Sequence, residues 1–194
     1  MTRDITGLMT TSCFSENKKD KTLIESAIRQ IEDNTCVKFV PYDYELRDYI
    51  YIVPLKGCYS YVGRVRGEQT VSLGKGCLYI GTIVHELLHA LGFFHEHSRR
   101  DRDDYLQIFL NNVQPGFRNQ FEKLHFYGRN MLTGFDYNSI MLYGSTAFAI
   151  NAKSPSMLTK NGSRIIEAYQ KGGLSNADIE RIRLVYGCKD PAVH

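Results

Sequence analysis

No apolar run in the 194-residue chain approaches the roughly 18 residues that a membrane-spanning helix needs, which excludes such a span. No block of about five or six like charges occurs, and the net charge is only +3. The short cluster Lys18, Lys19, Lys21 is interrupted by Asp20 and reads as a solvated helix start, so nucleic acid is not an expected partner. None of Cys13, Cys36, Cys58, Cys77 and Cys188 forms a C-x-x-C pair, which removes support for a thiolate metal site or a thioredoxin-like redox motif. Internal repeats and low-complexity linkers are also missing, so a single domain spanning 1–194 is expected. Met1-Thr2-Arg3-Asp4 lacks the apolar stretch of a signal peptide. The chain is therefore either cytosolic or a domain cut from a longer secreted precursor. Four cysteines can make two disulfides with one left over, and Asn161-Gly162-Ser163 is a glycosylation sequon; both favour secretion.

What is present is an ordinary globular balance, 43% hydrophobic and 23% charged, which excludes disordered and collagen-like classes. Ile24, Ala27, Ile28 and Ile31 form one apolar stripe, predicting a helix from Thr22 to about Asp33 with Asp20 as N-cap. Short β-rich pieces follow at Val37–Val40, Tyr49–Val53, Tyr59–Val62 and Gln69–Leu73, separated by proline and glycine turn signals. Ile80–Leu91 is apolar enough to be a buried helix, yet it holds two histidines and a glutamate. Such a conflict between burial and polarity marks a functional site. After His97 the chain is loop-rich until a last helix beginning at Ser175, with Asp178 as capping partner and Ile179, Ile182, Val185 and Tyr186 as its apolar face. The pattern predicts an α+β domain of two lobes, about 1–97 and about 98–194, with a cleft between them.

The central stretch reads His85-Glu86-Leu87-Leu88-His89-Ala90-Leu91-Gly92-Phe93-Phe94-His95. Residues four apart share a helix face, so His85 and His89 can aim both imidazoles at one zinc ion. A third ligand cannot lie further along the same helix. Gly92 can adopt the left-handed conformation that ends a helix, letting the chain reverse and bring His95 to the metal. His97 remains a second candidate for that place. Three neutral nitrogens leave zinc its full charge and an open position for water, and Glu86 is placed to act as general base. The plainer alternative is a buried helix with satisfied core histidines.

These residues resemble the metzincin metalloproteases and, within them, the astacin family. Gly92-Phe93, His95, Glu96, the run Ser98-Arg99-Arg100-Asp101-Arg102-Asp103-Asp104-Tyr105 and the Met-turn-like Tyr137-Asn138-Ser139-Ile140-Met141-Leu142-Tyr143-Gly144 carry the resemblance from about Asp20 to Cys188. It implies a zincin-like fold with a twisted mixed sheet and two long helices in the first lobe, and an irregular second lobe with a terminal helix. It selects His95 over His97 as third ligand and leaves His97 facing solvent or standing beside the metal. It implies Met141 as a floor under zinc and Tyr143 as a movable phenol that stabilises the oxyanion. Disulfides Cys36–Cys188 and Cys58–Cys77 follow from the same pattern, as does an edge strand Cys58-Tyr59-Ser60-Tyr61-Val62 that binds extended protein or peptide substrates. The implied protein is a secreted, zymogen-derived endopeptidase, monomeric as a domain.

Lys171, in Tyr169-Gln170-Lys171, is expected to favour acidic side chains just after the scissile bond, with a solvated loop lysine as the alternative. The resemblance links Glu96 to a buried mature N-terminus. Leu142 stands where the family has histidine, residues 1–19 lack its Pro-Tyr strand, and Cys13 has no assigned partner. Two rival functions are a catalytically silent binding domain and a zinc hydrolase acting outside proteolysis.

Overall fold

The computed structural model describes residues 18–42 and 47–189. Cys13 and the N-terminal residues on which the Glu96 expectation depends lie outside the described residues. Helix α1 (Lys18–Asn34) starts a turn before the expected Thr22, so Asp20 sits inside its first turn and is not the N-cap. An acidic residue there still complements the positive end of the helix dipole. Ile24, Ala27 and Ile31 are buried, and Ile28 packs partly buried against the same core.

The expected strand at Val37–Val40 does not form over 37–39, because its donors find partners in α1's last turn and in the residue after it. Thr35 accepts from the Val37 amide, and the Glu32 carboxylate accepts from the Phe39 amide at 2.7 Å. Strands β1 (Tyr49–Val53), β2 (Cys58–Ser60) and β3 (Glu68–Leu73) make one sheet in the order β1-β3-β2. β1 runs parallel to β3 and β2 antiparallel to it, so the sheet is mixed, as expected. β2 is shorter than the sequence suggested and pairs on one side only among the described residues.

Helix α2 (Ile80–Ala90) lies against α1 and the β2–β3 half of the sheet. Two apolar cores result. The first gathers Ile24, Ile31, Ile50, Ile52, Val71, Ile83, Val84, Leu87 and Leu88 with Ile140, Met141 and Ile182. The second holds Leu106, Val113, Phe121, Leu142, Met157 and Ile165 around the small sheet of β4 (Leu106–Ile108) and β5 (Met157–Thr159). The chain passes from one core to the other between Met141 and Leu142. Helix α3 (Asn176–Tyr186) has the expected Ser175–Asp178 capping box and ends at left-handed Gly187. Its Ile182 packs into the first core, so the terminal helix returns to the N-terminal half.

Both expected disulfides form, Cys36–Cys188 and Cys58–Cys77. The first joins the end of α1 to the end of α3 across 152 residues, a closure that removes much conformational freedom from the unfolded chain. Replacing both cysteines (Cys36→Ser with Cys188→Ser) is expected to lower the free energy of unfolding by about 2–5 kcal/mol in urea titrations.

Candidate metal centre and active site

Helix α2 carries His85 and His89 on one face, with exposures of only 7% and 6%. Gly92 follows with φ +91° and donates its amide to the His89 carbonyl, closing the helix and turning the chain back. An added Cβ there would stand 2.8 Å from the Arg129 guanidinium, which caps the helix end by donating to the Leu91 carbonyl at 2.7 Å. The reversal brings His95 up to the pair. Its Nε2 lies 3.2 Å from His85 Nε2 and 3.0 Å from His89 Nε2.

Those three nitrogens fit a metal. His85 Nδ1 donates to the Ile140 carbonyl and His89 Nδ1 to the Phe93 carbonyl, both at 2.8 Å. Each of these rings therefore presents a bare Nε2 lone pair. A proton on His95 Nε2 could serve one of these lone pairs well but not both, whereas a cation between the three nitrogens serves all of them. Tetrahedral zinc with Zn–N bonds of about 2.0–2.1 Å would hold such nitrogens about 3.3 Å apart. Burial pushes His85 down to about 3, His89 to about 4 and His95 well below its usual value, so all three are neutral, the form a metal ligand requires.

Glu86, next to the first ligand, is 5% exposed, and its Oε2 has no hydrogen-bond partner among the described residues. Burial pushes the carboxyl up to about 8; a dication nearby would pull it back toward the ionised form. Tyr143 stands over the site with its ring centroid 4.3 Å from that of His95. Burial and then the Glu86 charge raise its phenol, which stays protonated and able to donate.

His97 is not at the surface. It is fully buried, donates from Nε2 to the Gln120 carbonyl at 2.9 Å, and stacks 5.2 Å from His95 and 4.2 Å from Tyr143. It stands beside the three converging nitrogens rather than among them, which leaves the triad as His85, His89 and His95.

The support behind the site comes from elements the motif does not mention. Asp178 on α3 accepts from the Ser139 hydroxyl at 2.6 Å and the Ile140 amide at 2.8 Å. The carbonyl of the same Ile140 orients His85, so one residue links α3 to a metal ligand. Met141 is 1% exposed, and its carbonyl accepts from the Glu96 amide at 2.9 Å, tying the turn to the residue after His95. Glu96 itself has no exposure. Its carboxylate takes two bonds from Arg181 (2.8 and 3.0 Å), one from Arg99 (3.3 Å) and one from the Asp136 amide (2.9 Å). Burial raises this carboxyl to about 7 while Arg181 and Arg99 oppose the rise. Its counter-charges among the described residues thus come from within the chain.

Lys171 is neither a solvated loop residue nor turned toward solvent for substrate. It is 8% exposed, and its ammonium donates to the carbonyls of Ser139 (2.6 Å) and Leu142 (3.1 Å), bracing the Met-turn from outside. Two of its three ammonium protons are thus committed to carbonyls of this chain. Beyond Tyr143, Glu167 accepts from the amides of Gly144 and Thr146 and from the Thr146 hydroxyl. The side chain of Tyr59 is exposed, and Tyr61 follows β2 with 56% exposure. The segment leaving β2 is fixed to the metal helix by the Gly63 amide on the His89 carbonyl, at 2.8 Å. Asp178 was legible only as a cap, while Arg181 and Glu167 carried no local signal at all.

Arg181→Met should lower the free energy of unfolding by about 3 kcal/mol or somewhat more, measured in urea. The pair Arg181→Met with Glu96→Met should cost less than the sum of the single changes, because neither member of this ion pair is left buried without the other. Burial pushes Lys171 from 10.5 down to about 8. Between those values the unfolded chain binds more protons at this lysine than the folded one, so its contribution to stability rises with pH through that window and is lowest below about pH 8. Unfolding curves at a series of pH values should show wild type gaining up to about 3 kcal/mol relative to Lys171→Met across the window.

The profile of the astacin peptidase family matches residues 10–187. The chain is 44% identical to zinc metalloproteinase nas-15 of Caenorhabditis elegans over 87% of its length and 29% of the relative's. It is 42% identical to the astacin-like metalloendopeptidase of Mus musculus over 86% of its length and 38% of that protein's. The chain thus spans well under half of these curated relatives. Among solved structures, high choriolytic enzyme 1, a hatching enzyme zinc-protease of Oryzias latipes, superposes with a TM-score of 0.84 at 37% identity, covering 94% of this chain and 90% of that one. Myroilysin, at 17% identity and a TM-score of 0.63, shares the fold alone. A profile match over nearly the whole described fold, around a histidine triad suited to zinc, establishes that the chain belongs to the astacin family.

Proposed function

We propose that the chain is the catalytic domain of a secreted zinc-dependent endopeptidase that cleaves internal peptide bonds of protein substrates. One observation carries the reading: three imidazole nitrogens converge beside Glu86, a buried residue whose Oε2 has no hydrogen-bond partner among the described residues. A satisfied core histidine cluster has no use for such a neighbour. Bound zinc supplies a Lewis acid and water with a pKa near roughly 7.

The chain's own residues do the rest. Glu86 accepts the proton of the attacking water and later hands it to the leaving amine. Tyr143 donates its O–H to the oxygen that becomes negative in the tetrahedral intermediate. Met141, packed in the first core, closes the floor of the site. The free side of β2, from Cys58 to Ser60 and on to Tyr61, offers backbone groups to an extended substrate strand. That mode of binding grips the main chain in one register and leaves preference to side-chain pockets. The two disulfides and the exposed sequon at Asn161 favour an extracellular setting.

The test is digestion of casein by the zinc-loaded protein, with and without a chelator. Cleavage is expected only with zinc present. Glu86→Gln should retain one zinc per chain while kcat/KM falls by at least about 10²–10⁴-fold. Zinc-loaded wild type that leaves casein intact would overturn the reading in favour of a silent binding domain. Tyr143→Phe should lower kcat by about 10²–10³-fold with KM little changed, as expected for a donor that acts only on the developing charge.

A further inference from the structure

The segment from Leu124 to Asn130 presents two large aromatic side chains to solvent, Phe126 at 51% exposure and Tyr127 at 77%. Its backbone is nevertheless anchored at three points. The Leu124 amide donates to the Ser98 carbonyl at 2.7 Å, Arg129 donates to the Leu91 carbonyl, and Asn130 donates to the His95 carbonyl at 3.0 Å. Those acceptors lie before, at and after the third metal ligand. The segment is therefore fixed to the turn that carries His95.

The exposed rings are also organised among themselves. Phe126 meets the half-buried Phe94, the residue before His95, edge to face at 5.3 Å between centroids. The Arg100 guanidinium lies over Tyr127 at 5.5 Å. The apolar band continues toward the sheet, where exposed Tyr61 and Val62 leave the end of β2. The next residue, Gly63, donates its amide to the His89 carbonyl that also takes the Gly92 amide. A Cβ added to Gly63 would lie 3.8 Å from the Gly92 Cα, so the end of the strand touches the turn that leads to Phe94. Single exposed apolar side chains are ordinary, whereas a contiguous set beside a site marks a binding surface.

We propose, on the reading of the chain as an endopeptidase that lays its substrate along β2, that Phe94, Phe126 and Tyr127 form an apolar subsite. It selects substrates with an aromatic or large aliphatic side chain on the N-terminal side of the scissile bond. Antiparallel pairing with β2, the more stable orientation per residue, sets the N-terminal part of the substrate where β2 ends. That end leads to Gly92 and on to the Phe94–Phe126 pair. An apolar side chain laid there covers ring surface that water now wets, and edge or offset contacts between rings add to the gain from area alone.

The test is digestion of a mixed-sequence peptide library by the zinc-loaded protein, with the products read by mass spectrometry. Phe, Tyr, Trp, Leu and Met should be enriched at least about threefold at one position among the two to four residues before the cut. For two fluorogenic peptides that differ only by Phe or Ser at that position, kcat/KM should favour Phe roughly tenfold. Phe126→Ser with Tyr127→Ser should bring that ratio to within about twofold of unity. Both positions are exposed, so the double variant should unfold near the wild-type urea midpoint. Leu110→Ser removes another exposed apolar side chain, beyond β4 in the second lobe, and should leave the ratio as in wild type. No apolar enrichment at those positions, or a ratio unchanged in the double variant, would overturn the subsite while leaving the peptidase reading intact.

A binding measurement separates the two readings. Zinc-loaded Glu86→Gln should bind a labelled peptide containing one Phe about tenfold more tightly, by fluorescence anisotropy, than its Ser counterpart. The preference should vanish when Phe126→Ser and Tyr127→Ser are added. Should wild type cleave no peptide at all, the peptidase reading would fall, and equal affinity for the two peptides would still be the result that sinks the subsite.

Discussion

Glu96 is a carboxylate with no exposure to solvent, and a buried charge must bring its counter-charge with it. Arg181 reaches it from α3 with two bonds and Arg99 from the following loop with a third. Because Glu96 follows His95 directly, this cluster also holds the third metal ligand. Its amide on the Met141 carbonyl extends the hold to the Met-turn. Removing Arg181 would leave Glu96 to Arg99 alone, at 3.3 Å, so the loop after Gly92, the Met-turn and α3 are bound into a single arrangement. The Cys36–Cys188 bridge then fastens α3 to α1.

The site sits where two apolar cores meet. Ile140 and Met141 belong to the core around α2, while Leu142 and Tyr143 belong to the core around β4 and β5. A turn at such a seam has backbone groups that neither core can satisfy. Polar residues from elsewhere supply the partners: Asp178 from α3, Lys171 from the segment before it, and His85 itself on the Ile140 carbonyl. The same bonds that complete the turn therefore orient the metal helix. Leu142, where the family pattern has histidine, is fully buried in the second core, so an apolar residue suits the position it occupies.

Tyr143 is held by two different kinds of contact. Its neighbours in sequence are pinned by charged side chains, and its ring is enclosed by aromatic ones. Electrostatics holds the main chain, and aromatic packing lines the side chain. Burial then keeps the phenol protonated, which suits a hydrogen-bond donor.

Much of this was legible beforehand because it is local. The spacing of His85, Glu86 and His89 depends only on helical periodicity, and the turn at Gly92 only on the freedom of glycine at positive φ. The Ser175–Asp178 cap and the stripe of Ile24, Ala27 and Ile31 are local in the same sense, and the disulfides followed from a family pattern. The sequence misled where a distant partner decided. The strand expected at Val37–Val40 gave way where the Val37 and Phe39 amides donate to Thr35 and Glu32, and Lys171, expected beside the substrate, donates its ammonium to the Ser139 and Leu142 carbonyls. Arg181 and Phe126 lie 85 and 32 positions from Glu96 and Phe94, too far for any periodicity to register. The sequence by itself determined the ligands and their helix, since neighbours along a chain share geometry. Only the tertiary structure decided what holds them and what surrounds Tyr143, since burying charge and enclosing a ring require partners from elements remote in sequence.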